Sequence, residues 1–179
     1  VIVNTGKSHA DLIHEYSDVP KEMQMAASAL HTDRLCHSSL SELIDRCTDI
    51  PNDRAILRAI HFFEENDRVK KAAEAIDRKD IREVLNLMRQ SGTSSWELLQ
   101  NCYSLQDCSE QKIPLTLTLS DLFLKNINDG VCRIHGGGFA GVIMCILPHS
   151  TVGEYIHYIS KFVGKNNVYA MNIRETGAI

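Results

Sequence analysis

Along the first 127 residues, apolar positions recur at intervals of three and four, the spacing of helices that bury one face. One helix is predicted to begin at Pro20, because the fixed φ of proline suits a first helical turn. A second, short helix is predicted over residues 39–47, ahead of the breaker at Pro51. The β-branched residues 1–3 predict a strand that turns at Gly6.

The longest predicted helix runs from Asn52 or Asp53 to about Asp77. Either residue at its start can accept hydrogen bonds from the free amides of the first turn. Its predicted apolar face consists of Ile56, Ile60, Phe63, Val69, Ala73 and Ile76. Asn66 falls on the same face, where a polar amide is costly without partners, so we expect it to bond to a neighbouring loop.

The order of the remaining elements indicates the fold class. Further helices are predicted over residues 80–90, 96–103 and 115–127. The last fifty residues change to strands over residues 131–134, 142–147 and 168–173, with one helix at 151–163. Strand, turn, strand, helix and strand after several helices predict an α+β fold, with one face of an antiparallel sheet covered by helices.

Composition and charge narrow the possible functions. The chain has 179 residues, 44% of them hydrophobic, which fits one domain with its own core. A net charge of −4 without long basic runs disfavours a nucleic-acid partner. The longest apolar stretch, Val142–Leu147, is far shorter than the roughly 20 residues that cross a bilayer. Because the chain starts at Val1 without Met or leader, we expect a fragment of a longer protein.

The cysteines and histidines do not indicate a metal site. The six scattered cysteines lack the close spacing of metal ligands and are expected to be free thiols of a cytoplasmic protein. Cys132 and Cys145 lie on predicted buried strands and are interpreted as small core residues. His61, beside two phenylalanines, is interpreted as a hydrogen-bonded core or interface residue.

A glycine cluster, residues 135–141 (His-Gly-Gly-Gly-Phe-Ala-Gly), is the most informative segment. Three consecutive glycines expose amides that can approach a phosphate without obstruction by side chains. A tight connection between strands is the alternative interpretation. The apolar segment 142–147 is too short for the helix of a dinucleotide-binding turn, and no Lys-Ser or Lys-Thr follows as in a Walker loop.

Residues 133–141 (Arg-Ile-His-Gly-Gly-Gly-Phe-Ala-Gly) resemble the third signature of galactokinases, which belong to the GHMP kinases. His9 and the pair Glu15-Tyr16 resemble the segment that enters the carboxy-terminal half of that family. Two further segments resemble helices of that family. The central helix is matched by Arg58-Ala59-Ile60-His61, Glu65-Asn66 and Arg68-Val69. The next helix is matched by Leu87-Met88 with Ser91. The resemblance covers nearly all of residues 1–179 and implies one carboxy-terminal domain of the GHMP, ferredoxin-like type.

The resemblance implies a sugar 1-kinase that transfers the γ-phosphoryl group of ATP, with Mg²⁺, to galactose or a related sugar. The ATP-cradling loop and the catalytic Asp are then expected upstream of Val1, in an amino-terminal domain that is the partner in cis, so the isolated chain is expected to be inactive. Tyr16 matches the sugar-contacting tyrosine, although a half-buried structural tyrosine is the alternative. The segment that would shape the phosphate side consists of His135, Gly136, Gly137, Gly138, Phe139 and Gly141.

Several positions depart from the galactokinase pattern. Ser8 replaces an arginine, Val19 and Pro20 replace paired arginines, His135 replaces threonine, and Ala140 replaces glycine. Fewer guanidinium groups near a phosphate site weaken the expectation of ordinary galactokinase activity. Two further hypotheses therefore stay open: a galactokinase-like sensor or regulator that binds sugar and nucleotide without useful chemistry, and a standalone protein-interaction module.

Overall fold

A four-stranded antiparallel sheet and six α-helices form the part of the chain that the computed structural model describes, residues 1–6 and 12–172. The strands are β1 (Ile2–Asn4), β2 (Val131–His135), β3 (Val142–Ile146) and β4 (Val168–Tyr169). The helices are α1 (Ile13–Ala29), α2 (Leu40–Asp45), α3 (Asp53–Asp77), α4 (Ile81–Ser94), α5 (Lys112–Ile127) and α6 (Val152–Val163). The predicted α+β class is confirmed. None of these helices combines the length and apolar character needed to span a bilayer.

The sheet has the strand order β2-β3-β1-β4, with every neighbouring pair antiparallel. In register, His135 lies opposite Val142, Cys132 opposite Cys145, and Val3 opposite Ile143. The β2–β3 pair is therefore a hairpin whose connection is the glycine cluster. Of the predicted strand 168–173, the structure has only Val168–Tyr169, and residue 173 lies outside the described part.

The main core lies between the sheet and helices α5 and α6. Val3, Ile134, Ile143 and Cys145 project from one face of the sheet and are at most 1% exposed. They pack with Ile113, Leu117, Phe123 and Leu124 of α5 and with Tyr155 and Ile159 of α6. Burial of such side chains contributes about 1.5–3 kcal/mol each, so this layer holds the hairpin in place.

The opposite face of the sheet is also covered at the β2 edge, so the prediction of a single covered face is wrong there. Arg133 points away from α5 and donates to Ser91 Oγ of α4 at 2.7 Å. A Cβ on Gly92 would lie 3.1 Å from Arg133 Cβ, which shows how closely α4 approaches the strand. Two carbonyls along β2 accept from guanidinium groups: Ile134 O from Arg133 Nε at 3.0 Å and Gly130 O from Arg89 Nη2 at 2.8 Å.

A second core joins α1, α2 and α3. Its buried residues are Ala26, Ala27, Leu30, Leu35, Leu43, Ile50, Ala55 and Ala59. The alanines allow α1 and α3 to approach closely. Beside them, Glu22 of α1 contacts Arg54 Nη2 at 2.5 Å and Arg58 Nη1 at 2.9 Å. Arg58, 1% exposed, also donates to Leu99 O at 3.1 Å, which ties α3 to the turn after α4.

Helix α3 has the predicted bounds, but only the first half of its predicted apolar face is packed: Ile56, Ile60 and Phe63 contact the second core, whereas Ala73 is exposed. Asn52 caps it by accepting from the amides of Arg54 and Ala55. Its buried residues are Ala55, Arg58, Ala59, His61 and Ala75, whereas Val69 and Ile76 are 61% and 59% exposed. Asn66 is exposed and donates to Phe62 O of the same helix, so the predicted loop partner is wrong. Beyond Asn66, most of the helix lacks a covering layer.

Pro20 lies inside α1, not in its first turn. The helix begins at Ile13, and Pro20 is exposed on its surface. Proline cannot donate a backbone hydrogen bond to the carbonyl four residues earlier, at Tyr16. The mixed polar sequence of residues 13–18 concealed the first turns, because apolar periodicity appears only from Met23 onward.

Candidate functional site

The glycine loop, residues 136–141, connects β2 and β3 directly, as the strand–turn–strand prediction requires. Four of its residues have left-handed backbone angles: Gly136 at φ +79°, Gly138 at +85°, Phe139 at +58° and Gly141 at +87°. Such angles cost L side chains roughly 1–2 kcal/mol, which explains three of the glycines. Phe139 adopts the same region with a side chain, so its packing must offset this cost.

The loop has an exposed half and a buried half. His135, Gly136 and Gly137 are exposed, and nothing lies within 4 Å of a Cβ placed on Gly136. Gly138 is buried, and Phe139 and Ala140 are only 2% and 1% exposed. The first half therefore leaves glycine backbone accessible, while the second half fixes the loop to the domain.

Asn101 braces the buried half of the loop. This residue is 3% exposed, and its backbone carbonyl accepts from the Phe139 amide at 2.5 Å. Its side-chain Nδ2 donates to Gly137 O at 3.2 Å. A Cβ on Gly138 would lie 2.6 Å from that Nδ2, closer than real Cβ contacts. Only glycine at position 138 leaves room for Asn101.

Tyr16, on the first turn of α1, contacts the same loop from the other side. Its hydroxyl donates to Gly138 O at 2.6 Å, and its ring meets the Phe139 ring edge-on, with centroids 5.5 Å apart. A Cβ on Gly137 would be 2.9 Å from Tyr16 Cε1. Burial, with a smaller contribution from Glu15, raises the pKa of Tyr16, so the phenol stays protonated. The structure thus brings together two features that the sequence singled out separately.

A small apolar cluster supports the Tyr16–loop contact. Leu12, Phe139 and Ala140 are buried together, with Tyr16 and Val19 packed against them. Glu15, also buried, accepts a hydrogen bond from Ser104 Oγ.

At the far end of the loop, Gly141 O accepts from both the amide and the hydroxyl of Thr5, each at 2.9 Å. Helix α1, β1 and the turn at Asn101 therefore converge on one loop.

Sequence reasoning missed Asn101, Thr5 and Ser104. Asn101 and Thr5 act largely through backbone groups on residues distant in sequence, so no periodicity or motif indicates them. A weak signal for Asn101 is the break after Leu99, where Gln100 adopts a left-handed φ of +56°.

The departures from the galactokinase pattern lie in different settings. His135 is exposed at the end of β2, and Val19 packs under the loop. Ala140, which stands where galactokinases have a glycine, is buried, so its side chain faces packed atoms and not open space. Ser8 and His9 lie outside the described residues.

The other candidates are structural. His61 is 8% exposed and its Nδ1 lies 2.8 Å from Ser94 Oγ, so the prediction of a hydrogen-bonded core histidine is confirmed. Burial lowers its pKa, which keeps the ring neutral at physiological pH. Among residues 1–6 and 12–172, no group of three or more His, Cys, Asp or Glu side chains could hold a metal ion.

Removing the Tyr16 hydroxyl is expected to loosen this site. Tyr16→Phe leaves Gly138 O without that donor and should lower the free energy of unfolding by about 1 kcal/mol. Urea denaturation followed by circular dichroism measures the change. The matched control is Tyr169→Phe, whose hydroxyl donates to Asn166 O in an exposed turn and should matter less. Equal effects at both positions would contradict a bracing role for Tyr16.

Comparison with known proteins finds similar sequences among the galactokinases. No protein-family model matches the chain. Galactokinases of Actinobacillus pleuropneumoniae serotype 3 and Glaesserella parasuis serovar 5 are each 29% identical over 178 residues, 98% of this chain. A galactokinase of Haemophilus influenzae is 27% identical over 179 residues. The chain spans 43% of the length of these curated relatives.

The fold has a solved counterpart. The structure of Lactococcus lactis galactokinase in complex with galactose matches 92% of this chain with a TM-score of 0.72 at 22% sequence identity, and 41% of that protein is covered. At this identity the likeness establishes the fold alone. Together with the sequence matches along 98% of the chain, it confirms the resemblance to galactokinases that the sequence predicted. In sequence and in fold, the chain resembles the carboxy-terminal domain of galactokinases.

Proposed function

We propose that the chain is the carboxy-terminal domain of a galactokinase-like sugar 1-kinase that works in the cytoplasm. In its full-length form, this enzyme transfers the γ-phosphoryl group of ATP to galactose or a related monosaccharide. The observation that carries the proposal is the similarity to galactokinases along 98% of the chain, including the glycine loop. An amino-terminal domain in cis supplies the ATP-cradling loop and the catalytic Asp.

The exposed half of the glycine loop is the proposed phosphate side of the site. Gly136 and Gly137 present backbone without side chains, and space is open beside Gly136. Oriented amides in such loops favour anions, so this half of the loop fits a phosphoryl group. ATP with Mg²⁺ supplies the transferred group and neutralises its charge when bound. His135, exposed at the end of β2 beside this half of the loop, carries an imidazole N–H that adds a donor.

Tyr16 is the proposed sugar contact. The Tyr16 hydroxyl donates its hydrogen to Gly138 O. The phenol oxygen can therefore only accept a hydrogen bond from a sugar hydroxyl. The same hydrogen bond fixes the phenol relative to the glycine loop. One residue would then set the distance between the sugar side and the phosphate side of the site, which is the positioning that phosphoryl transfer depends on.

A sensor that binds sugar and nucleotide without useful turnover is the second candidate. It is favoured by Val19, which packs under the loop where galactokinases carry an arginine. Without that guanidinium group, less positive charge is available to stabilise the transferring phosphoryl group. Binding would then be retained while the rate of transfer falls.

Steady-state kinetics of the full-length protein with ATP, Mg²⁺ and a panel of monosaccharides tests the proposal. We expect a sugar 1-phosphate from galactose or a close relative, and no product from residues 1–179 alone. Tyr16→Phe should raise the KM for the sugar about tenfold, the effect of losing about 1.4 kcal/mol of binding. The KM for ATP should change less, because the ATP-cradling loop is supplied by the amino-terminal domain, and Tyr169→Phe should behave as wild type.

Two outcomes separate the hypotheses. Tight binding of galactose and ATP by calorimetry with no product would replace the kinase proposal by the sensor. If the full-length protein neither turns over nor binds any sugar, both hypotheses are refuted. The protein-interaction module would then remain.

A further inference from the structure

Two cysteines lie directly opposite each other behind the glycine loop. Cys132 of β2 and Cys145 of β3 are register partners in the antiparallel hairpin. Partners in register project from the same face of a sheet, and here both side chains point toward α5 and α6. All six cysteines are free thiols in the structure.

The backbone around this pair determines how close the two sulfur atoms can come. The Cys145 amide donates to Val1 O at 2.8 Å, and Cys145 O accepts from the amino group of Val1 at 2.7 Å. Both backbone groups of Cys145 therefore face the β1 side, and none is left to bond to Cys132. Opposed residues of this non-hydrogen-bonded type have Cα atoms about 4.5 Å apart, within the roughly 4.4–6.8 Å that a disulfide spans.

One arrangement of hydrogens satisfies every contact around Cys145. Ser120 Oγ donates to Thr116 O at 2.7 Å, so it can only accept from the Tyr155 hydroxyl, 2.7 Å away. Tyr155 has thus used its hydrogen, and the Cys145 thiol, 2.9 Å away, donates to it. Cys132 Sγ donates to Leu117 O at 3.6 Å. In this arrangement the Cys145 thiol donates to Tyr155 and the Cys132 thiol donates to Leu117 O.

Only one of the two thiols is within reach of a reagent. Cys145 is 0% exposed, whereas Cys132 is half-buried and lies in the wall of a groove of about 1090 Å³. This groove runs between α4 and α5, and Arg89, Trp96 and Asp121 also line it. The groove therefore reaches Cys132 and not Cys145.

We propose that Cys132 and Cys145 are a redox modification site that closes into a reversible cross-strand disulfide. The oxidant is glutathione disulfide. The Cys132 thiolate attacks one of its two sulfur atoms and forms a mixed disulfide, while the S–S bond of the oxidant breaks and releases one glutathione. Cys145 then attacks Cys132 Sγ and releases the second glutathione. The protein loses two thiol protons and two electrons, and the oxidant becomes two glutathione molecules that take up both.

Closing this bond would restrain the glycine loop. Residues 133–144, which lie between the two cysteines, contain the entire loop, so a cross-link at its base ties the two strands that carry it. Non-hydrogen-bonded pairs in general have Cα atoms near the short end of the range that disulfides span, and disulfides at the limits of that range are reduced more readily. The site is thus suited to a reversible restraint and not to a permanent staple.

Reaction at this site should depend on pH. The neighbouring Cys145 thiol and burial raise the pKa of Cys132 above its ordinary value, so little thiolate exists at pH 7. Because the thiolate is the attacking species, the rate of disulfide formation should increase as pH rises. Exposed cysteines such as Cys36 and Cys108 should react with glutathione disulfide sooner but should not become linked to Cys132 or Cys145.

The test is to incubate the purified protein with glutathione disulfide at pH 7 and pH 9, alkylate the remaining thiols and digest with trypsin without reduction. Cleavage after Arg133 separates the cysteines into peptides 126–133 and 134–161, each with a single cysteine. We expect these two peptides to be linked, faster at pH 9, and to separate after dithiothreitol. The oxidised protein should melt at a higher temperature, with slower hydrogen exchange over residues 136–141.

Two variants keep the result interpretable. Cys132→Ser retains a hydroxyl that can donate to Leu117 O and should abolish the linked peptides, while the matched control Cys108→Ser at an exposed site should retain them. The proposal would be overturned by a stable glutathione adduct on Cys132 without linkage, since the second sulfur would then be out of reach. Equal alkylation of Cys132 and Cys145 with and without oxidant would overturn it as well.

Discussion

Gly138→Ala is expected to lower the free energy of unfolding by about 3 kcal/mol. About 1 kcal/mol comes from forcing an L residue to the observed φ of +85°. The larger part comes from overlap, because the new Cβ would lie 2.6 Å from Asn101 Nδ2, and overpacking of this kind costs about 1–3 kcal/mol. The added Cβ would also overlap the Asn101 backbone carbonyl, which cannot yield without releasing the Phe139 amide that it holds.

Gly136→Ala is the matched control for this variant. Its φ of +79° imposes the same backbone cost, but nothing lies within 4 Å of the added Cβ. Urea denaturation of both variants should therefore show a loss at Gly136 about 2 kcal/mol smaller than at Gly138. Equal losses would show that Asn101 does not brace the loop, and that only the backbone angle matters.

Glu22→Leu is expected to lower the free energy of unfolding by about 3–5 kcal/mol, the usual cost of removing one partner from a buried ion pair. Glu22 is 6% exposed and accepts from both Arg54 and Arg58. Arg58, at 1% exposure, would keep its buried charge with no carboxylate beside it. Arg54 is less affected, because it is partly exposed and lies 3.5 Å from Asp18.

Two comparisons separate charge from packing. The double variant Glu22→Leu with Arg58→Met should be more stable than Glu22→Leu alone, because it removes the stranded charge and fills the space with apolar atoms. Asp67→Asn, in the exposed pair with Lys71 on the same helix, should leave the denaturation midpoint nearly unchanged. A double variant less stable than Glu22→Leu would contradict the charge explanation.

The sequence predicted well those elements whose signals are local. The bounds of α3 follow from the cap at Asn52 and from helical periodicity, both of which are read within a few residues. The hairpin follows from two apolar runs around a glycine cluster. For the same reason the glycine loop and Tyr16 could be singled out as candidate site residues before their positions were known.

Features that depend on other elements could not be predicted from the pattern. Which side of α3 is fully buried depends on where α1 and α4 pack, and this places alanines and Arg58 there, with Ile56, Ile60 and Phe63 only partly buried beside them. The start of α1 at Ile13 depends on Leu12 and Tyr16 packing on Phe139, more than a hundred residues away. The role of Asn101 could not be predicted from the sequence for the same reason, because its contacts with the glycine loop form only when the β2–β3 hairpin packs against it.

The guanidinium groups along β2 affect how this protein behaves in a crowded solution. Unpaired carbonyls on the outermost strand of a sheet invite another chain to add a strand, a route to aggregation. On β2 and at its entrance, Arg89 and Arg133 occupy the Gly130 and Ile134 carbonyls, and α4 covers the strand between them. This edge is therefore sealed by the molecule itself, and intermolecular sheet extension at β2 would first have to displace two arginines.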